Sequence, residues 1–269
     1  MWNSFNTAGP VSVTAEIVTY PGGGGDTIHA YVARPLGDEP LPGIVLVHYL
    51  PGFDEFHQET AERLARHGYQ VICPDLYCRR GHGTPDELSA RIGSEPGNVK
   101  GRPHDDQVVA DCEAALAWLR AQPRHSGKTA IVGDSSGGRH ALLVASLVPG
   151  FDAVIDMWGG RVTAPPPNGA PEMPVAPIEY TDRLTAPLLG IFGNDDRNPS
   201  PEQVDIHEQA LKQAGKEYEF HRYDGVGHSF TCYHAIPHGE MHRWFGYKPQ
   251  QAMDAWEKIF GFLADKLSA

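Results

Sequence analysis

Two hydrophobic rhythms alternate along the chain. Continuous apolar runs of strand length, Gly43-Ile44-Val45-Leu46-Val47-His48 and Tyr69-Gln70-Val71-Ile72-Cys73-Pro74, are separated by a stretch of helical periodicity, Asp54 to His67, that stops at Gly68. Runs without polar alternation fit strands buried on both faces of a parallel sheet. Ahead of them, Val11 to Tyr20 and Thr27 to Ala33 alternate apolar and polar side chains around Gly22 to Gly25, the pattern of an antiparallel hairpin. Downstream the pattern predicts helix Asp105–Gln122, strand Lys128–Gly133, helix Gly137–Leu147, strands Phe151–Met157 and Pro187–Gly193, helix Pro201–Ala214, strand Glu217–Tyr223 and a last helix from about Gln250 to Leu267. Strand–helix–strand repetition implies right-handed crossovers and an α/β fold: a doubly wound, mostly parallel sheet with helices on both faces.

Two stretches break the alternation: Arg79 to His104, rich in Gly, Arg and Pro, and Gly159 to Asp182, with six prolines. Both leave the ends of predicted strands on one side of the sheet, which favours pocket walls over linkers. No repeat or domain boundary is visible, and 269 residues suit one α/β domain over 1–269.

Composition narrows the classes further. Lys and Arg number 22 against 34 Asp and Glu, a formal charge of −12, and no basic cluster is present. Nucleic acid and anionic membranes are therefore not expected as partners, since phosphate binding rests on clustered cations. The apolar runs fall far short of the ~20 residues of a membrane span. Cys73, Cys78, Cys112 and Cys232 lack Cys-x-x-Cys spacing, and the amino terminus has neither a basic nor an apolar leader region, so a reducing cytoplasm is the expected setting.

The chemistry concentrates in Gly133-Asp134-Ser135-Ser136-Gly137, a Gly-x-Ser-x-Gly string between the run Thr129–Val132 and the amphipathic run Arg139–Leu147. At a strand-to-helix junction, the turn lifts Ser135 above the sheet edge, and the flanking glycines are expected to admit backbone angles that larger residues resist. Ser135 is the candidate nucleophile. A serine hydroxyl needs a base and a group that orients the base. His228, in Asp224-Gly225-Val226-Gly227-His228-Ser229-Phe230, is the best placed of fourteen histidines. His234, His238 and His242 recur at four-residue spacing, but Pro237 and the lack of a carboxylate motif argue against a metal site. The loop after Gly193 offers two acids: the Gly-x-x-Asp spacing of the hydrolase loop makes Asp196 the preferred one, and counting back four residues from Pro199 leaves Asp195 as the alternative. For an oxyanion hole, Ser136 supplies one N–H at the helix start, and Leu50, within His48-Tyr49-Leu50-Pro51-Gly52, supplies the second, because Pro51 has none.

These residues together resemble the dienelactone hydrolase (carboxymethylenebutenolidase) family of the α/β-hydrolase superfamily. The likeness runs through His48–Gly52, Cys73-Pro74-Asp75-Leu76-Tyr77, the elbow with its extra Gly138, Gly193–Pro201 and Gly227-His228-Ser229-Phe230. It implies an α/β-hydrolase fold and a cofactor-free enzyme that opens lactones or cleaves small esters through an acyl-enzyme. The family pattern has Cys where this chain has Ser135, and its prototype has Glu at the position of Tyr49. Arg79 matches a family arginine that binds the substrate carboxylate, whereas the second such arginine is replaced by Cys232. Tyr49 and Trp158 either line an acyl pocket or pack in the core. The elbow is also similar to that of hormone-sensitive-lipase-like esterases, but the His-Gly-Gly-Gly motif of that group is absent. A small-molecule ester or lactone is thus the expected substrate. A non-hydrolytic binding scaffold, or acyl transfer to an acceptor other than water, are the competing readings.

Overall fold

In β3 (Leu41–Val47), Ile44 and Leu46 point into one apolar cluster and Val45 and Val47 into another, which is why the run needs no polar alternation. The same division holds for Ala130 and Val132 against Ile131 in β5 (His125–Asp134), and for Ala153 and Ile155 against Val154 in β6 (Ala153–Met157). The computed structural model describes residues 11–49, 54–81, 83, 87–88, 90, 102–166, 170–232 and 246–268. The remaining strands are β1 (Val13–Pro21), β2 (Thr27–Pro35), β4 (Gln70–Pro74), β7 (Leu188–Gly193) and β8 (Tyr218–Tyr223).

The eight strands form one sheet in the order β1-β2-β4-β3-β5-β6-β7-β8. β1 pairs antiparallel with β2 and β2 antiparallel with β4, and every later pairing is parallel. Helices α2 (Asp105–Arg120) and α3 (Ser136–Leu147) bury Val108, Leu116 and Leu142 against one face of the sheet. Helices α1 (Glu55–Arg66) and α5 (Pro249–Leu267) bury Leu64, Trp256, Ile259 and Leu263 against the other. Between β7 and β8 lies α4 (Pro201–Gln213), started by a capping box in which Ser200 and Gln203 bond each other's backbone N–H groups. The expected elements are all present, with ends that coincide or shift by up to three residues. The wall segment after β6 contains a short 3₁₀ helix, Pro177–Arg183, that periodicity did not reveal.

One expectation needs correction. The run after the elbow is not amphipathic in use: α3 is buried from Gly137 to Ser146, including Arg139 and His140. Arg139 is tolerated there because its guanidinium makes two bonds to Asp105, at 2.6 and 2.7 Å, and a third to the Val175 carbonyl at 3.2 Å. The helix below the elbow is thereby tied to the start of α2.

Candidate active site

Parallel strands deliver their C-terminal ends to one edge, and the candidate residues leave from there. Ser135 follows β5 and caps α3 with φ 52° and ψ −120°, a strained conformation for a side chain of its type and worth about 1–3 kcal/mol. The strain is localised on the serine itself. Gly133 and Gly137 have ordinary φ signs, so their expected role is corrected: they are needed for close approach. A Cβ on Gly133 would lie 2.1 Å from the Gly137 carbonyl oxygen, and one on Gly137 would lie 2.0 Å from that of Val47. The turn is further fixed by the Ser135 amide, which donates to the Met157 carbonyl at 2.9 Å.

Ser135 and His228 are ninety-three residues apart in sequence, yet Ser135 Oγ lies 2.9 Å from His228 Nε2. On the other side of the ring, Nδ1 lies 2.7 Å from Asp196 Oδ2. The second oxygen of Asp196 accepts the Asn198 amide at 2.9 Å, which fixes the carboxylate plane. An Nδ1 that donates to a carboxylate carries the ring proton of the neutral tautomer, in which Nε2 is an acceptor toward the serine hydroxyl. Asp196 and His228 are buried, whereas Ser135 is partly exposed, as a nucleophile that meets solvent-borne substrate must be. Asp195 is exposed, and its amide donates to the Val226 carbonyl at 2.9 Å. It serves the turn that brings the two loops together, so the arrangement selects Asp196 over Asp195. A Cβ on Gly193 would stand 2.4 Å from that same Val226 oxygen, which explains the glycine there.

Ser136 occupies the first turn of α3, where backbone N–H groups lack intrahelical acceptors. Leu50 lies outside the described residues, as do His234, His238 and His242. Among the described residues no cluster of His, Cys, Asp and Glu could hold a metal ion.

Three expected ligand-facing residues stand differently. Arg79 does not present a free guanidinium: it bonds Asp111 at 2.6 and 3.0 Å and Asp26 at 2.5 Å. With two carboxylates already on it, it braces the β1–β2 turn to α2, and the substrate-carboxylate role is not carried over. Trp158 is fully buried, packed against Phe230 and edge-on to the His228 ring at 6.3 Å, so it packs in the core behind that ring rather than lining a pocket. Tyr49 keeps partial exposure, but its hydroxyl is engaged by Asp54 and its ring packs 4.4 Å from that of His57.

That packing reveals a group the sequence reasoning missed. His57 is buried beside the elbow with Nδ1 2.9 Å from Asp54 Oδ1 and Nε2 3.0 Å from Asp134 Oδ1. Burial disfavours charge on this imidazole, but Asp134 and Asp54 overcome it and raise its pKa from the usual 6.5 to about 9. Burial likewise raises Asp54, yet the His57 hydrogen bond and charge prevail and bring it down to about 2. Only the N-cap pattern, with Asp54 accepting the His57 amide at 3.2 Å, was available as a local signal.

The cysteines are unpaired. Burial pushes the thiols of Cys73, Cys112 and Cys232 above the usual range, and that of half-buried Cys78 to about 11.

Comparison with known proteins places the chain among related sequences and structures. The model of the dienelactone hydrolase family matches residues 28–267. A carboxymethylenebutenolidase of Pseudomonas putida is 36% identical over 210 residues, 77% of this chain and 82% of that protein. A protein of Escherichia coli K12, provisionally named a carboxymethylenebutenolidase, is 32% identical over 241 residues, 87% of this chain and 81% of its own length. The crystal structure of a provisionally named dienelactone hydrolase from Klebsiella pneumoniae superposes with a TM-score of 0.80 at 27% identity, covering 94% of this chain and 99% of that one.

Proposed function

The chain belongs to the dienelactone hydrolase family and is a hydrolase of carboxylic esters or lactones, and from that premise we propose that Ser135 is its nucleophile, His228 its general base and Asp196 the acid that orients the base. The observation that carries this reading is the 2.9 Å contact between Ser135 Oγ and His228 Nε2. His228 takes the Ser135 proton as Oγ bonds to the substrate carbonyl carbon, and the carbonyl electrons collect on oxygen. The N–H groups of Ser136 and Leu50 are the proposed donors to that oxyanion. The carbon–oxygen bond to the leaving group then breaks, and the leaving alkoxide takes the proton from His228; in a lactone it stays tethered to the acyl chain. Water, deprotonated by the same imidazole, attacks the acyl-enzyme and frees the acid and the serine.

Departure from the family pattern at the nucleophile makes this a serine enzyme, in which activation depends on the base more than it does for a thiol. Tyr49 is the aromatic that retains exposed surface for an acyl group. The fold, read as one domain, has among its described residues no helix long and apolar enough to cross a membrane. Unpaired cysteines fit the proposed cytoplasmic setting. An activated aryl ester tests the assignment: the protein should give a burst of alcohol and an acyl mass on Ser135, both absent in Ser135→Ala. A burst that survives in Ser135→Ala overturns it.

A further inference from the structure

Residues 48, 49, 54, 57 and 134 form a second polar network next to the nucleophile that no step above uses. His57 is 1% exposed, and each of its ring nitrogens faces a carboxylate, Asp54 at 2.9 Å and Asp134 at 3.0 Å. Ionised carboxylates only accept, so with both acids ionised both ring nitrogens donate and the ring is an imidazolium, in keeping with the rise in its pKa that Asp134 and Asp54 cause. Asp134 is the residue before Ser135 and is buried, and its second oxygen has no hydrogen-bond partner among the described residues. Its Oδ1–His57 contact is therefore the one side-chain bond that holds this carboxylate at the elbow among the described residues.

Also against the ring lies Tyr49, two residues beyond the end of β3 at Val47. Its amide approaches His57 Nε2 at 3.4 Å, its ring packs 4.4 Å from the imidazole, and its hydroxyl bonds Asp54. The 3.0 Å carboxylate contact is shorter and charged, so the Nε2 proton belongs to Asp134 and the Tyr49 amide rests beside it. The Tyr49 carbonyl meets His48 Nδ1 at 2.8 Å, while His48 Nε2 accepts the Leu76 amide at 3.2 Å. His48 is thus neutral with its proton on Nδ1, in keeping with a pKa lowered by burial and by the charge of His57.

We infer that His57 is a positioning residue for ester cleavage: an imidazolium bridge that, through Asp134 and Tyr49, sets the serine elbow and the start of the oxyanion loop at a fixed separation. This role rests on the Ser135 reading. Tyr49 is gripped at its carbonyl by His48 and at its hydroxyl by Asp54, with the cation underneath, and Asp134 carries the same cation's hold into the turn of Ser135. Loss of the Nε2 proton would open its lone pair to the Tyr49 amide and leave Asp134 buried as an unpaired charge, which moves both halves of the site at once. The titratable groups around the ring are Asp54 from α1, Asp134 from β5, and His48 and Tyr49 from the β3 end. Cys73 and Cys232 lie near the two carboxylates with their thiols held neutral by burial.

The test uses the full chain, an activated aryl ester and the rate of acylation at Ser135. His57→Gln offers one amide to two carboxylates. Acylation should slow by about ten- to a hundredfold with KM changed less than about threefold, while the acyl mass still appears on Ser135. Asp134→Asn keeps the shape and removes one charge, so the alkaline fall in acylation rate expected in the wild type as His57 loses its proton should move to lower pH. A folded His57→Gln that acylates at the wild-type rate, or an alkaline limb identical in Asp134→Asn and wild type, overturns the inference. If neither variant folds, nitrogen NMR of the wild type decides. A His57 ring protonated on both nitrogens at pH 7, titrating in step with the alkaline fall in rate, supports the bridge, and a neutral ring at pH 7 overturns it. Failure of the Ser135 reading is distinct, because then no acyl mass appears at Ser135 even in the wild type.

Discussion

Among the described residues, His228 and His57 are two buried imidazoles that meet the same turn in opposite ways. His228 has one carboxylate, Asp196, on Nδ1 and a hydroxyl, Ser135, on Nε2. His57 has a carboxylate on each nitrogen. In the proposed mechanism one carboxylate orients a ring and supports a charge that comes and goes during turnover, with the second nitrogen exchanging a proton with the serine. Two carboxylates hold the charge in place, and a ring that cannot release its proton near neutrality is a structural cation. The number of acids around a histidine, more than its burial, separates the base from the brace.

Substitutions can break this contrast, and the largest effect belongs at the hydroxyl that only His228 serves. Ser135→Ala should lower ester turnover by more than about 10⁴-fold, measured with an activated aryl ester, with the fold unchanged by circular dichroism. Asp196→Asn should follow, with a loss of about 10³–10⁴-fold, since an amide in that place favours the wrong tautomer of His228. The His57 side of the contrast sharpens in stability. Its folded pKa of about 9 lies above the ordinary 6.5, so its contribution is complete below about pH 6.5 and disappears as pH rises through 9. Urea unfolding at pH 6 and pH 10 should show an alkaline loss on the order of a few kcal/mol in the wild type, largely missing in His57→Gln. Asp195→Asn should change turnover by less than about twofold, because that carboxylate is exposed and only its backbone is used. A large effect there would return the triad acid to the neighbouring position.

Much of this was readable before any coordinates. Local rules placed the strand, the turn and the helix around Ser135, and the chain order Ser, Asp, His pointed to His228 and Asp196. Burial of Asp196 against His228 and exposure of Asp195 then support the acid that the loop spacing already preferred. What the sequence concealed depends on partners distant along the chain. Arg79 reads as a ligand anchor until Asp26 and Asp111 arrive on it from other elements. Arg139 reads as the polar face of a helix until Asp105 makes it a buried pair. His57 and Asp134 are seventy-seven residues apart, and no periodicity announces their contact. Likewise, the glycines of the elbow suggest backbone freedom, whereas space between Val47 and the first turn of α3 is what they provide.

The cysteines leave the protein quiet toward alkylating reagents at neutral pH, since three thiols are buried and the fourth is held far from ionisation. A Ser135→Cys chain would carry one thiol beside a general base against that silent background. Counting modified sites with iodoacetamide would then report how strongly His228 activates whatever atom sits on the elbow, and so compare oxygen with sulfur on a single scaffold.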